Sequence, residues 1–206
     1  MRERLKYWWT AFYLPLYFAC FTYLEKRDVP VTIIGLPIDY KIPFIDAFII
    51  PYLLWFPFMG LAFVGIFWFC KKEYVKMAIF LMTGMTIFLI VSYLWPNGLN
   101  LRPDSVSDSI FAPFLKNLYS GDTSTNVFPS LHVFNSIGAA IAFWRVGSEF
   151  NKKWIGVSSI VLAVLIILST MFIKQHSVID VIGAFVMAAI LYVFVYWLPE
   201  RKISKQ

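Results

Sequence analysis

Apolar residues run in six stretches, each divided from the next by a short polar, basic or proline-bearing break. A helix that crosses a bilayer needs about 20 mostly apolar residues. The stretches that meet this cover about 7–24, 46–70, 74–95, 129–146, 154–173 and 175–198. The segment 25–45 is interrupted by Pro30, Pro37 and Pro43, so it cannot form one helix. Its apolar part, Val29 to Ile38, is too short to span and is expected to lie along the interface or to re-enter. The second stretch holds Pro51 and Pro57, which predicts a kink. A long polar segment, 96–128, separates the third stretch from the fourth, and Pro129 suits the start of a helix. The first stretch lacks a following small-residue cleavage site, so it reads as a retained span.

Composition sharpens the membrane reading. Of 206 residues, 60% are apolar and 15% charged, against about 25% charged in ordinary soluble domains. Aromatics reach 19%, with eight Trp and eleven Tyr, as expected where rings sit at two membrane interfaces. The predicted fold is all-α: a polytopic membrane protein forming one domain over 1–206, a six-helix bundle with an outer loop that carries part of any active site.

The net charge of +6 does not point to nucleic acid, because the basic residues fall in short clusters between spans. On one side are Arg2, Arg4, Lys6, Lys71, Lys72, Lys76, Arg145, Lys152, Lys153, Arg201, Lys202 and Lys205. The other side has only Lys26, Arg27, Lys41, Arg102, Lys116 and Lys174. The positive-inside rule then puts both termini in the cytoplasm, with 25–45, 96–128 and 174–176 outside. A plasma membrane is expected, a bacterial one by the compact size. Cys20 and Cys70 sit in apolar runs at different depths and read as small apolar residues, with no disulfide or metal role.

Only two histidines occur, and both fall at the outer face. His132 lies in the first turn of the fourth span. His176 opens the sixth, and Asp180 follows four residues later on the same helix face. A carboxylate there would hold the imidazole in one tautomer and leave the other ring nitrogen free. An ionisable group one turn below the interface is costly and usually functional. Arg102 in the outer loop adds a guanidinium suited to phosphate. Ser130, at the start of the fourth span, could offer a hydroxyl or an N–H to the same anion. Lys174 could supply a second positive charge, or simply snorkel at a helix end. The loop carboxylates Asp104, Asp108 and Asp122 match no common metal-ligand spacing, so no metal is assigned. The small residues Gly138, Ala139, Ala140, Gly183 and Ala184 suit close helix packing, within the chain or between subunits.

These pieces resemble the type 2 phosphatidic acid phosphatases, or lipid phosphate phosphatases, over about residues 46–198. That family carries Lys-x6-Arg-Pro, then Pro-Ser-Gly-His, then Ser-Arg-x5-His-x3-Asp. Here the three appear in order as Trp95 to Arg102-Pro103, as Pro129-Ser130-Leu131-His132, and as Ser169-Thr170 followed by His176 and Asp180. Trp95, Leu131 and Thr170 replace the family's lysine, glycine and arginine. Phe128 to His132 and the Ser169–Met171 run look more like the branch that includes inositol phosphorylceramide synthases.

The resemblance implies a phosphohistidine route without cofactor. His176 would attack phosphorus, Asp180 would orient it, and His132 would act as acid and then base. Arg102, helped by Ser130, would bind the phosphoryl oxygens, with Lys174, Lys116 or Lys41 replacing the missing cations. The implied partners are the bilayer and a lipid phosphate such as phosphatidic acid, phosphatidylglycerol phosphate or an isoprenoid diphosphate. Oligomeric state is left open. Three readings stand at this point: a lipid phosphate hydrolase, a lipid head-group phosphotransferase on the same fold, and a non-enzymatic transporter or assembly subunit.

Overall fold

Helices begin and end close to the breaks in the sequence. In a computed structural model of the chain, which describes residues 7, 9–106 and 109–203, helix α1 covers Trp9–Glu25, α2 Ile49–Phe69 and α3 Lys71–Leu94. Helix α4 covers Ala112–Gly121, α5 Leu131–Glu149, α6 Lys153–Phe172 and α7 Val178–Tyr192. A π-helical turn, Val193–Trp197, carries α7 on into α8, Leu198–Ile203. Arg2, Arg4, Lys6, Lys205 and Asp108, which entered the sequence reading, lie outside the described residues.

Among the described residues, four helical stretches are long and apolar enough to cross a membrane: 46–69, 71–94, 153–172 and 178–201. The remaining two expected spans are helical but differ in kind. Helix α1 has 17 residues. Helix α5 has 19 and carries Asn135, Ser136, Arg145 and Ser148 along its length. Its reduced apolarity has a packing cause: α5 is the central helix, in contact with α2, α3, α6 and α7. A helix walled by protein needs little lipid-compatible surface, and small residues let its neighbours come close. A methyl group added at Gly84 of α3 would meet the Phe134 ring of α5 at 2.2 Å, and Phe134 stacks on Phe80 at 4.8 Å. A methyl group at Gly138 would meet Leu81 at 2.6 Å, and Ala139, Ala140 and Ala184 are buried inside the same chain.

Pro51 stands in the first turn of α2, where a missing N–H costs nothing. The helix runs on through Pro57. Helix α1 packs on α3 and scarcely touches α2. It is pinned by Tyr13, whose hydroxyl donates to Met82 O at 2.8 Å, and by Arg27, which donates to Ser92 O at 2.8 Å. The space between α1 and α2 therefore stays open.

Two findings revise the all-α, loop-like reading of the connecting segments. Thr32–Ile33 and Asn97–Gly98 form a short parallel strand pair, β1 and β2, so 29–38 holds an extended stretch and ends in a 3-10 turn that begins at Pro37. The segment 96–128 contains α4, whose Leu115 is fully buried with Ile49, Tyr52 and Ile173. Asn97 fastens this cap, because its Oδ1 accepts the N–H groups of Val127 and Phe128 at 3.0 and 2.9 Å. At the opposite end of the bundle, Arg145 bridges Glu73 and Glu200, with Lys76 on Glu200 at 2.6 Å.

Candidate active site

The turn between α6 and α7 is built by the chain's own backbone. Thr170 O accepts the N–H groups of both Gln175 and His176, at 2.9 and 3.0 Å. This fold-back puts Lys174 at φ 56°, a left-handed conformation that costs a side-chain-bearing residue about 1–2 kcal/mol. The Lys174 ammonium offsets the cost by donating to the carbonyls of Asp39 and Ile42 at 2.6 and 2.5 Å. Burial pushes its pKa down, while the Asp39 carboxylate acts in the opposite sense. The expectation that His176 opens the sixth helix is corrected by this turn. Ser177 is the N-cap, so His176 stands just outside α7.

Asp180 is completely buried, one turn into α7. Its Oδ2 accepts the Ser177 N–H at 2.8 Å and lies 3.3 Å from His176 Nδ1. A carboxylate at Nδ1 keeps the proton there and leaves the Nε2 lone pair free. The helix N-terminus adds favourable dipole at the same point. Asp39 completes the support: it accepts from Ser177 Oγ at 2.5 Å and from Val178 N at 2.8 Å. Sequence reading passed over Asp39. The available signal was a lone carboxylate between Pro37 and Pro43, two residues before Lys41 in a mostly apolar segment.

His132 enters from the first turn of α5, with its ring centroid 5.9 Å from that of His176. Tyr52 and Trp55 of α2 pack on the His132 ring, each at 4.6 Å. Both histidines line a cavity of about 650 Å³. From the histidines the cavity runs between α1 and α2 past Met59, Phe63, Tyr17, Phe21 and Phe88. Along α2 alone it extends from Tyr52 to Val64. Those twelve residue steps rise about 18 Å at 1.5 Å per residue. One end is thus polar and the rest is walled by aliphatic and aromatic side chains.

Arg102 stands beside the polar end. It donates to Tyr119 O at 3.2 Å, Thr123 O at 3.1 Å and Gln175 Oε1 at 2.5 Å, and its guanidinium stacks over the Tyr119 ring at 4.6 Å. Burial lowers its pKa, and Asp122, Tyr119 and Tyr52 work against that shift. Gln175, hidden from sequence reading as an ordinary turn residue, lines the cavity next to His176. Its Oε1 is held by Arg102, and its buried Nε2 has no partner among the described residues. Asp122 also lines this end; burial raises its pKa, while the charges of His176 and Arg102 pull it back down.

Of the expected site residues, His132 and His176 line the cavity, while Asp180 stands behind His176 and Arg102 reaches the wall only through Gln175. The structure does not bring Ser130 or Lys174 into the cavity wall. Ser130 is fully buried; its Oγ accepts from Val133 N, and its N–H donates to Asp180 O at 3.2 Å. Trp95 faces a separate groove with Phe128 and Pro129, and Thr170 is buried with its hydroxyl on Ile167 O. Lys41, Lys116 and Asp104 are exposed. Among the described residues, no three His, Cys, Asp or Glu side chains gather as metal ligands.

No curated protein and no solved structure matches the chain. Residues 77–204, a stretch that contains both histidines, Asp180 and Arg102, match the PAP2 superfamily. The match covers more than half of the chain, and the chain belongs to the PAP2 superfamily.

Proposed function

We propose that the chain is a membrane-embedded lipid phosphate phosphatase that works through a phosphohistidine on His176. Family membership suggests phosphatase-type chemistry on lipid phosphates. The observation that carries the finer reading is the meeting of His132 and His176 at the polar end of an apolar cavity, with Asp180 bonded behind His176.

The steps follow from the groups present. His176 Nε2 attacks phosphorus; an N–P bond forms and the P–O bond to the lipid breaks. The alkoxide leaves with a proton from His132, whose neighbour His176 is now a phosphorylated cation stabilised by Asp180. Neutral His132 then takes a proton from water as that water attacks phosphorus and the N–P bond breaks. Inorganic phosphate departs and both imidazoles are restored. Arg102 and the free Nε2 of Gln175 supply positive charge and a hydrogen bond to the phosphoryl oxygens. Ser130, Lys174 and Asp39 act by holding the turn and helix ends in place.

In this reading the lipid tail stays between α1 and α2 while its phosphate meets the histidines. The basic clusters of the sequence support termini in the cytoplasm and a site at the outer face of a cell membrane. The test is phosphate release from a panel of lipid phosphates and diphosphates by detergent-solubilised protein, with a chelator present. Wild-type protein releases phosphate and His176→Ala does not. Equal release by both sinks the reading.

Head-group transfer between lipids is the second reading, and Asp122 favours it. A carboxylate at the cavity end, with no lysine at Trp95 and no arginine at Thr170, suits a singly charged phosphodiester better than a doubly charged monoester. A new phosphodiester product on addition of acceptor lipids distinguishes it.

A further inference from the structure

Asn135 lies three residues after His132 on α5, one turn farther from the polar end and on the same face. Three residues of helix rise about 4.5 Å. Asn135 lines the same cavity as the histidines and is 4% exposed. Its Oδ1 is buried with no hydrogen-bond partner. No described residue answers it, although its neighbour Ser136 bonds back to His132 O at 2.6 Å in the ordinary way. A buried acceptor left unmet is costly, and the cost is greater in an apolar wall than in water. Leu131, Met85, Phe88 and Met59 line the same cavity. An apolar residue would suit a plain hydrocarbon tail better.

We propose that Asn135 is a specificity-determining residue that reads a hydrogen-bond donor placed beside the phosphate of the lipid. The inference rests on the lipid phosphate reading above. With phosphorus between the two histidines, the carbons that follow it pass the next turn of α5, where Oδ1 waits for a donor. A lysophospholipid-type phosphate has a hydroxyl on the neighbouring carbon, and a sphingoid phosphate has a hydroxyl or an N–H at a similar distance. Isoprenoid phosphates have neither. The substrate class named is therefore lipid phosphates with a hydroxyl or N–H next to the phosphate-bearing carbon. The amide's Nδ2 remains a donor and can serve an ester carbonyl in the same lipid.

The experiment compares two substrates in each preparation: 1-acylglycerol 3-phosphate and its 2-deoxy analogue, identical but for one hydroxyl. Wild-type protein should hydrolyse the hydroxylated lipid with kcat/KM about tenfold higher, the equivalent of about 1.4 kcal/mol. In Asn135→Leu the ratio should fall to about one. Because each ratio is taken within one preparation, partial misfolding of the variant does not change it. A wild-type ratio near one overturns the inference, even if Asn135→Leu fails to fold. So does a ratio that persists in the variant. Absence of phosphate release from both lipids by wild-type protein overturns the phosphatase reading itself, and the inference with it.

Discussion

The Nδ1 atom of His176 lies 3.3 Å from Oδ2 of Asp180, and the same oxygen caps α7 by accepting the Ser177 N–H at 2.8 Å. One carboxylate therefore both fixes the helix start and orients the imidazole. Asp180→Asn keeps an acceptor for the cap but removes the charge that stabilises a phosphorylated imidazole. Its kcat should fall by about two to four orders of magnitude, the range spanned by a positioned acid–base group. Its melting temperature should stay within a few degrees of wild type. Steady-state kinetics beside a thermal melt check both parts.

Gln175 lines the cavity and is held by Arg102 at Oε1, and its buried Nε2 has no partner among the described residues. Gln175→Leu removes a donor to the phosphoryl oxygens, and kcat/KM should fall about tenfold to a hundredfold. Gln175→Glu replaces the donor with a second carboxylate beside the phosphate and should be the more damaging of the two. Titration of activity against substrate concentration orders the variants. Equal activity in all three proteins would remove Gln175 from the site.

Asp122 predicts how stability depends on pH. Burial raises its folded-state pKa above the ordinary carboxylate value, despite the opposing charges of His176 and Arg102. The folded protein then binds this proton more tightly than the unfolded chain does. The stabilisation is present below the ordinary carboxylate pKa of about 3.9 and is lost as pH climbs through the raised value. Asp122→Asn should therefore melt at a higher temperature than wild type at neutral pH, and the gap should close as pH falls toward that range. Thermal melts across the pH range measure the difference.

Residue pattern made the helices legible, because apolar runs of bilayer length have few other structures open to them. It also singled out His132, His176 and Asp180, since ionisable groups at helix ends stand out against an apolar background, and the structure brings these three side chains together. What stayed hidden depended on contacts far apart in sequence. Asp39 reaches α7 across more than a hundred residues, and nothing local marks that meeting. Lys174 and Ser130 were read as phosphate ligands by position alone. The turn aims Lys174 at backbone carbonyls, and the α5 start uses Ser130 as its cap. Helix α5 was legible as a helix but not as the central one, because its polar residues make sense only once four neighbours surround it.

The ion pairs at the far end predict a loss of stability without a loss of chemistry. Glu73 is 3% exposed and is held by Arg145 Nε at 2.6 Å. Arg145→Met removes the closer partner of the buried carboxylate and leaves Lys76 at 3.7 Å. Stability should fall by about 3 kcal/mol, the lower end of the cost of breaking a buried pair. Activity per folded molecule should be unchanged, since both partners lie at the end of the bundle away from the histidines. Thermal melts in detergent, paired with assays well below the melting point, separate the two quantities.

The central claim is a covalent intermediate on His176, and trapping it is the most direct measurement. Wild-type protein mixed with a lipid phosphate labelled at phosphorus, quenched in alkali during the first turnover and digested, should carry label on the peptide containing His176. That label should vanish on acid treatment and should be missing from His176→Ala. Phosphate release with no label on protein, or with equal label on the Ala variant, would contradict the account.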